Sequence, residues 1–166
     1  MKHFKYSFVF ILSLTLLGCG AYSFTGISTN ANSFQVNFFQ NNADLIEPGL
    51  DIEFTNALQD IIQDQTSLEL STSNADIIYE GEIVEYRISP TTATSDNRAA
   101  QNRVTMGVNV RYIDNLDEEK NFEKRFSFFY DYPAQAQLIG SQRDTAWEEL
   151  FERITQDILN ASLADW

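Results

Sequence analysis

Two segments with apolar residues at helical spacing and four with period-two alternation, in the order β-α-β-β-β-α, predict an α+β fold. So few strands and two one-faced helices are economically arranged as a two-layer sandwich, an antiparallel-rich sheet covered on one face by both helices. Aromatic residues are plentiful, with thirteen phenylalanines, which supports a packed core and not a disordered chain.

The elements follow in order. Over 33–40, Phe34, Val36 and Phe38 share one face with Gln35 and Asn37 opposite, which is a strand. Pro48 suits a first helical turn, and Leu50, Phe54, Ala57, Leu58 and Ile61 then recur on one helical face to about Gln65. A short strand or a loop follows over 67–70. From 75 to 89 the apolar set runs Ile77, Tyr79, Ile83 and then changes parity to Val84, Tyr86, Ile88. A change of parity within one strand predicts a bulge, and Gly81 stands nearby as its candidate. The polar stretch 90–102 predicts a long loop.

Val104, Met106, Val108, Val110 and Tyr112 then alternate with Arg103, Thr105, Asn109 and Arg111. After a charged turn over 114–120, Phe122, Phe126, Phe128 and Tyr130 alternate in turn, so these two strands are expected to pair as an antiparallel hairpin. Gly140 and Ser141 break the chain, and Ser141 with Asp144 resembles an N-cap pair. Trp147, Leu150, Phe151, Ile154, Ile158 and Ala161 complete the second amphipathic helix.

The N-terminus precedes this domain. Lys2 and Lys5 flank an apolar run over 6–17, too short for a bilayer, which needs roughly twenty apolar residues. It has the length of a signal-peptide core. Leu16, Leu17, Gly18 and Cys19 follow, and this resembles the lipobox of bacterial lipoproteins. The reading is a signal peptide over 1–18, a lipidated tether over 19–32 and one α+β domain over 33–166. Acylation of Cys19, by diacylglycerol and an N-acyl chain such as palmitate, would supply the two or more chains that stable anchoring requires. Cys19 is the only cysteine, so no thiol is left for a disulfide, metal or nucleophile.

Removing Lys2 and Lys5 takes the net charge from −13 to −15, which argues against nucleic acid as a partner. The charge is also uneven: between Cys19 and Tyr86 there is no Lys or Arg, while every remaining basic residue lies from Arg87 onward. The one histidine, His3, leaves with the signal peptide, which excludes histidine-based triads and zinc sites. No glycine-rich phosphate loop is present. Paired carboxylates remain conceivable, and Asp131 beside Tyr132 and Pro133 is the most unusually placed acid, although a strand-end turn explains it. The expectation is a non-enzyme without cofactor or metal. Arg87, Arg98, Arg103, Arg111 and Arg125 form the candidate anion-binding set, since guanidinium forks suit phosphate and carboxylate. Cross-strand pairing with acids on a solvated sheet face is the other reading of the same residues.

Cys19-Gly20-Ala21-Tyr22-Ser23-Phe24-Thr25-Gly26 resembles the mature start of LptE-family lipoproteins of Bacteroidetes-type bacteria. Ala75 onward (ADIIYEGEI) resembles that family's second strand, Asn102 onward (NRVTMGVNV) its third, and the helix from Trp147 to Ile158 its closing element. The resemblance implies an outer-membrane lipoprotein on the periplasmic side, supporting and plugging an LptD-like β-barrel in lipopolysaccharide transport. It also brings lipopolysaccharide itself into view as a ligand. A protein of charge −15 repels an anionic glycolipid unless cations or the arginine set intervene, so the barrel role is favoured over direct handling. The alternative is an unrelated periplasmic lipoprotein that scaffolds another envelope component.

Overall fold

A computed structural model describes residues 29–91 and 101–164. The signal-peptide segment, Cys19 and most of the tether lie outside these residues, as does Arg98. The elements are β1 (Ser33–Val36), β2 (Gln40–Asn41), α1 (Leu50–Gln65), β3 (Glu69–Leu70), β4 (Ile77–Thr91), β5 (Gln101–Asp114), β6 (Phe122–Pro133) and α2 (Ser141–Leu163). They build an open mixed sheet in the order β3-β1-β4-β5-β6, with β2 also paired to β4. The expected α+β fold is observed. The antiparallel part is β4-β5-β6, whereas β1, β2 and β3 pair in parallel. The parallel pairing follows from connection length: α1 carries the chain back across the sheet, so β4 runs beside β1 in the same direction.

One face of the sheet is dry. Ile77, Tyr79, Ile83 and Tyr86 of β4 and Val104, Met106, Val108, Val110 and Tyr112 of β5 are buried against Leu50, Phe54, Leu58 and Ile62 of α1 and Trp147, Leu150, Phe151, Ile154 and Ile158 of α2. Phe39, Phe54, Phe151 and Trp147 form a chain of ring contacts, 5.4 to 5.7 Å between centroids, that joins the segment before β2 to both helices. Two buried pairs of polar tips meet across the same seam. Trp147 Nε1 donates to the Tyr86 hydroxyl at 3.0 Å, and the Tyr79 hydroxyl lies 2.8 Å from Ser162 Oγ. Burial raises the pKa of both phenols, so they stay neutral.

The bulge is present in β4, but at Val84 and not at Gly81. Ile83 faces Val108 and Glu85 faces Gly107, so Val84 is the residue left over. Gly81 stays in register opposite Val110, and its lack of a side chain has a steric cause. A Cβ there would lie 2.0 Å from the Asn109 carbonyl oxygen and 2.7 Å from the Phe39 ring.

The first strand departs from its pattern in a related way. Val36 aligns with Tyr79 but Gln40 with Glu82, so β1 and β2 together hold one residue more than β4. Beyond this irregularity the parity changes: Phe39 is fully buried, and Phe38 turns out to solvent at 56% exposure. The Phe39 N–H, displaced from the ladder, donates to Thr55 Oγ1 of α1 at 3.1 Å.

Other expectations are corrected at element ends. The strands β4 and β5 run on through Pro90, Thr91, Gln101 and Asn102, so these residues are paired and not loop; the rest of the expected loop, 92–100, lies outside the described residues. Ser141 does not cap α2. The N-cap is Gly140, at φ 54°, without a side-chain cap bond, and Asp144 pairs with Arg143 at 3.0 Å. Gly49 occupies the N-cap of α1, which places Pro48 just outside the helix. Ala161 is exposed, and Leu159 with Leu163 finishes the buried stripe in its place. The charged turn holds a 3-10 turn (Glu118–Lys120), and the buried Asp114 carboxylate accepts from Leu116 N–H at 2.8 Å and Asp117 N–H at 3.0 Å.

The Trp147→Ala variant is expected to lose about 3–5 kcal/mol, the usual range for emptying a large aromatic site. Trp147→Phe should lose less, retaining most of the packing but leaving the Tyr86 hydroxyl without its donor. Urea unfolding of the three proteins checks the ranking, and an unchanged midpoint for Trp147→Ala would contradict a packed seam between Trp147 and the sheet.

Candidate functional site

Side chains of opposite parity on β4, β5 and β6 point away from the helices and form a broad polar face. It brings together residues from the two parts of the chain that differ in charge. Glu80, Glu82 and Glu85 come from the stretch without lysine or arginine, and β5 and β6 bring Arg103, Arg111 and Arg125 alongside them. Arg111 Nη1 donates to Glu80 Oε1 at 2.9 Å, and its Nε lies 3.5 Å from Glu123 Oε2. Arg87 Nε donates to Glu85 Oε1 at 2.8 Å, and Arg125 donates to the other oxygen of Glu85.

This reach of Arg125 depends on Gly107, which lies between them opposite both Glu85 and Ser127. A Cβ on Gly107 would sit 2.9 Å from Arg125 Nη2 and 3.2 Å from Glu85 Cβ, so the guanidinium crosses the sheet over a residue without a side chain. The Val84 bulge has a part as well. By taking up one residue, it turns Glu85 to the polar face while Tyr86 still faces the helices.

Arg103 makes the most ordered of these contacts. Its Nε and Nη2 donate to the two carboxylate oxygens of Asp131 at 2.7 and 2.8 Å, a parallel fork. The same guanidinium stacks 3.6 Å above the Phe129 ring. Asp131 is therefore a residue within β6, directly opposite Arg103, and not a strand-end turn residue. The hydrogen bonds from Arg103 hold its carboxyl below the ordinary carboxylate pKa, and the carboxylate in turn raises the guanidinium pKa.

Of the five predicted arginines, the four described ones lie on this face, each bonded to carboxylate. Sequence reasoning passed over Glu80, Glu85 and Phe129, the partners that organise them. Gly107 was a usable signal: a glycine amid an otherwise regular alternation marks a close approach. Beside β2 the face dips into an open depression of about 430 Å³, lined by Asn37, Phe38, Glu80, Glu82, Asn109 and Arg111 among others. Glu82 accepts from Asn42 Nδ2 at 2.6 Å there.

An α+β protein with helices on one side and a broad, charge-compensated sheet face on the other presents a surface suited to binding. The chain belongs to the LptE family, described as lipopolysaccharide-assembly, whose model matches residues 31–162. Among solved structures it is similar to a hypothetical protein from Chlamydia trachomatis, with a TM-score of 0.55 at 13% identity, covering 81% of this chain and 99% of that one. It is also similar to the PelC dodecamer from Paraburkholderia phytofirmans, with a TM-score of 0.50 at 10% identity over 83% and 93% of the two chains. These likenesses concern the fold. No curated protein sequence matches significantly.

Because the folded-state pKa of Asp131 is depressed, its contribution to stability is present above the ordinary carboxylate pKa. It is lost as pH falls through the lower folded value. The Asp131→Asn variant is expected to show a shallower loss of stability over that acid range than the parent chain, measured by urea unfolding across a pH series. Identical acid profiles would remove the fork from the account. A Gly107→Val change is expected to displace Arg125 from Glu85, read as loss of the Arg125 side-chain contact in an NMR spectrum.

Proposed function

We propose that this chain is an outer-membrane lipoprotein, tethered on the periplasmic side through acylated Cys19, that supports and plugs an LptD-like β-barrel in lipopolysaccharide transport. Family membership supplies the lipopolysaccharide-assembly setting. The observation that supports a plug is the outer sheet face, where Arg87, Arg103, Arg111 and Arg125 are matched by Glu80, Glu85, Glu123 and Asp131. Barrel lumens are polar and hydrated. A face whose arginines are already paired can lie against such a wall without leaving a buried cation uncompensated. The role is one of binding and support, without a catalytic step or a bound cofactor.

This reading gives the arginines a structural part. For any of them to hold a lipopolysaccharide phosphate, that phosphate must first displace a carboxylate already in place. The protein's net charge opposes the approach as well. Direct glycolipid handling is therefore the lesser proposal for Arg87, Arg103, Arg111 and Arg125.

Mild detergent extraction of the native membrane is expected to recover the chain together with a large β-barrel protein. Recovery as a lone monomer would count against the plug. Depletion should reduce surface lipopolysaccharide, whereas an unrelated scaffold leaves it unchanged. Cys19→Ala is expected to move the protein from the membrane to the soluble periplasmic fraction. In the Arg103→Glu/Arg111→Glu double variant, lipopolysaccharide binding measured on immobilised glycolipid should change little. A loss of roughly tenfold or more, about the value of one good charge-assisted contact, would instead promote the arginines to direct ligands.

A further inference from the structure

The sheet has an open edge. Strand β6 pairs with β5 along its length, and no described residue pairs with its other side. Which backbone groups face that side can be worked out. At the end of the β4–β5 ladder the Asn115 N–H donates to the Asp76 carbonyl at 2.8 Å. In an antiparallel sheet the direction of these bonds alternates residue by residue. Odd-numbered residues of β5 therefore bond β4 and even-numbered ones bond β6. Even-numbered β5 residues face even-numbered β6 residues, as in Met106 opposite Phe128 and Val108 opposite Phe126. The backbone N–H and C=O groups of Glu123, Arg125, Ser127, Phe129 and Asp131 are left pointing off the edge. Unpaired groups in such a row are a template for another extended chain.

Next to this edge, on the helix side, Phe128 and the residues Glu149, Glu152, Arg153 and Gln156 of α2 line a hollow of about 270 Å³. Its two carboxylates outnumber its one guanidinium, that of Arg153, which lies 5.7 Å from the Phe128 ring centroid and 3.7 Å from Asp157. A strand laid along β6 sends every second side chain toward the helix side, where the hollow lies. Main-chain bonds then supply affinity, and the hollow selects the side chain.

We propose that the β6 edge and the adjoining hollow take up an extended segment of a partner polypeptide carrying Lys or Arg at alternate positions, added to the sheet as a further antiparallel or parallel strand. The backbone row demands an extended chain, and the acidic hollow selects a basic one. A second copy of this chain fits less well, because pairing β6 with β6 brings Glu149 and Glu152 toward their own counterparts. This site is separate from the polar sheet face, and it does not require the partner to be a barrel.

The test uses the lipidated chain in neutral detergent and a fluorescent, end-capped nonapeptide of alternating Thr and Lys. The peptide is expected to bind, while the Thr/Glu peptide of the same length is not. N-methylation of its β6-facing amides should abolish binding, because it removes the main-chain donors and keeps every charge. Glu149→Lys/Glu152→Lys lies on exposed helix positions and should weaken binding by roughly tenfold or more, the scale of lost charge-assisted contacts. Ser127→Pro, which removes one outward N–H at an edge position where proline is tolerated, should also weaken it. Equal binding of the N-methylated peptide would reduce the effect to surface adsorption and overturn the proposal. Full affinity in the double lysine variant would do the same. A dimer that Ser127→Pro dissolves would assign the edge to a second copy and likewise overturn it. Barrel co-extraction is unaffected by any of these results, so the two readings fail separately.

Discussion

One residue, Val84, stands outside the ladder that joins β4 to β5, and both faces of the sheet depend on that offset. Without it, Tyr79 and Ile83 would share a face with Glu85, and Tyr86 would turn to solvent. With it, β4 keeps apolar residues toward the helices on both sides of the bulge. Tyr86 meets Trp147, and Glu85 comes out on the polar face to gather Arg87 and Arg125. A period-two strand permits no partial adjustment, since a shift of one residue exchanges the faces completely. The bulge is therefore the point at which the core and the outer surface are set together.

The two glycines of the central strands complete that arrangement from opposite sides. Gly81 leaves room on the dry face for Phe39, which enters the core because the first strand also carries an additional residue. Gly107 leaves room on the wet face for Arg125 to cross to Glu85. A side chain at either position would collide with neighbours that the bulge and the strand irregularity have already placed. The ion pairs that result are mostly half-exposed, and pairs of that kind contribute little to stability. Their consequence is order: long, charged side chains are laid flat, and Glu80 and Glu85 of the stretch without bases are paired by arginines from later in the chain.

That division gives the molecule two different surfaces for contact. The sheet face is charge-compensated and suited to a polar wall. The β6 edge is uncompensated in its backbone hydrogen bonds, and its adjoining hollow is acidic. Natural sheets commonly guard such edges with charge, and Glu123, Lys124 and Arg125 here do so at one end of β6. Toward Phe128 and Phe129 the guard is weaker, and there the strand meets the hollow beside α2.

The order of the longer elements, the hairpin of β5 with β6, most of the inward residues of both helices and the existence of a bulge were legible in the sequence. Each depends on local periodicity, which burial of one face imposes on the residues themselves. The LptE-family resemblance was legible too, in the order of its motifs, and the family match agrees with it. Periodicity could not say that Phe39 and not Phe38 enters the core. Nor could it place the bulge at Val84, or identify Asp131 as the partner of Arg103. Those outcomes rest on which residues stand opposite one another across strands far apart in the chain, and register is a property of the assembled sheet. By itself the sequence determined that one face of each long strand and helix would be dry and that the stretch before Arg87 would carry acids without bases. Only the tertiary structure decided which acid meets which base, because strand order and a single unpaired residue set those distances.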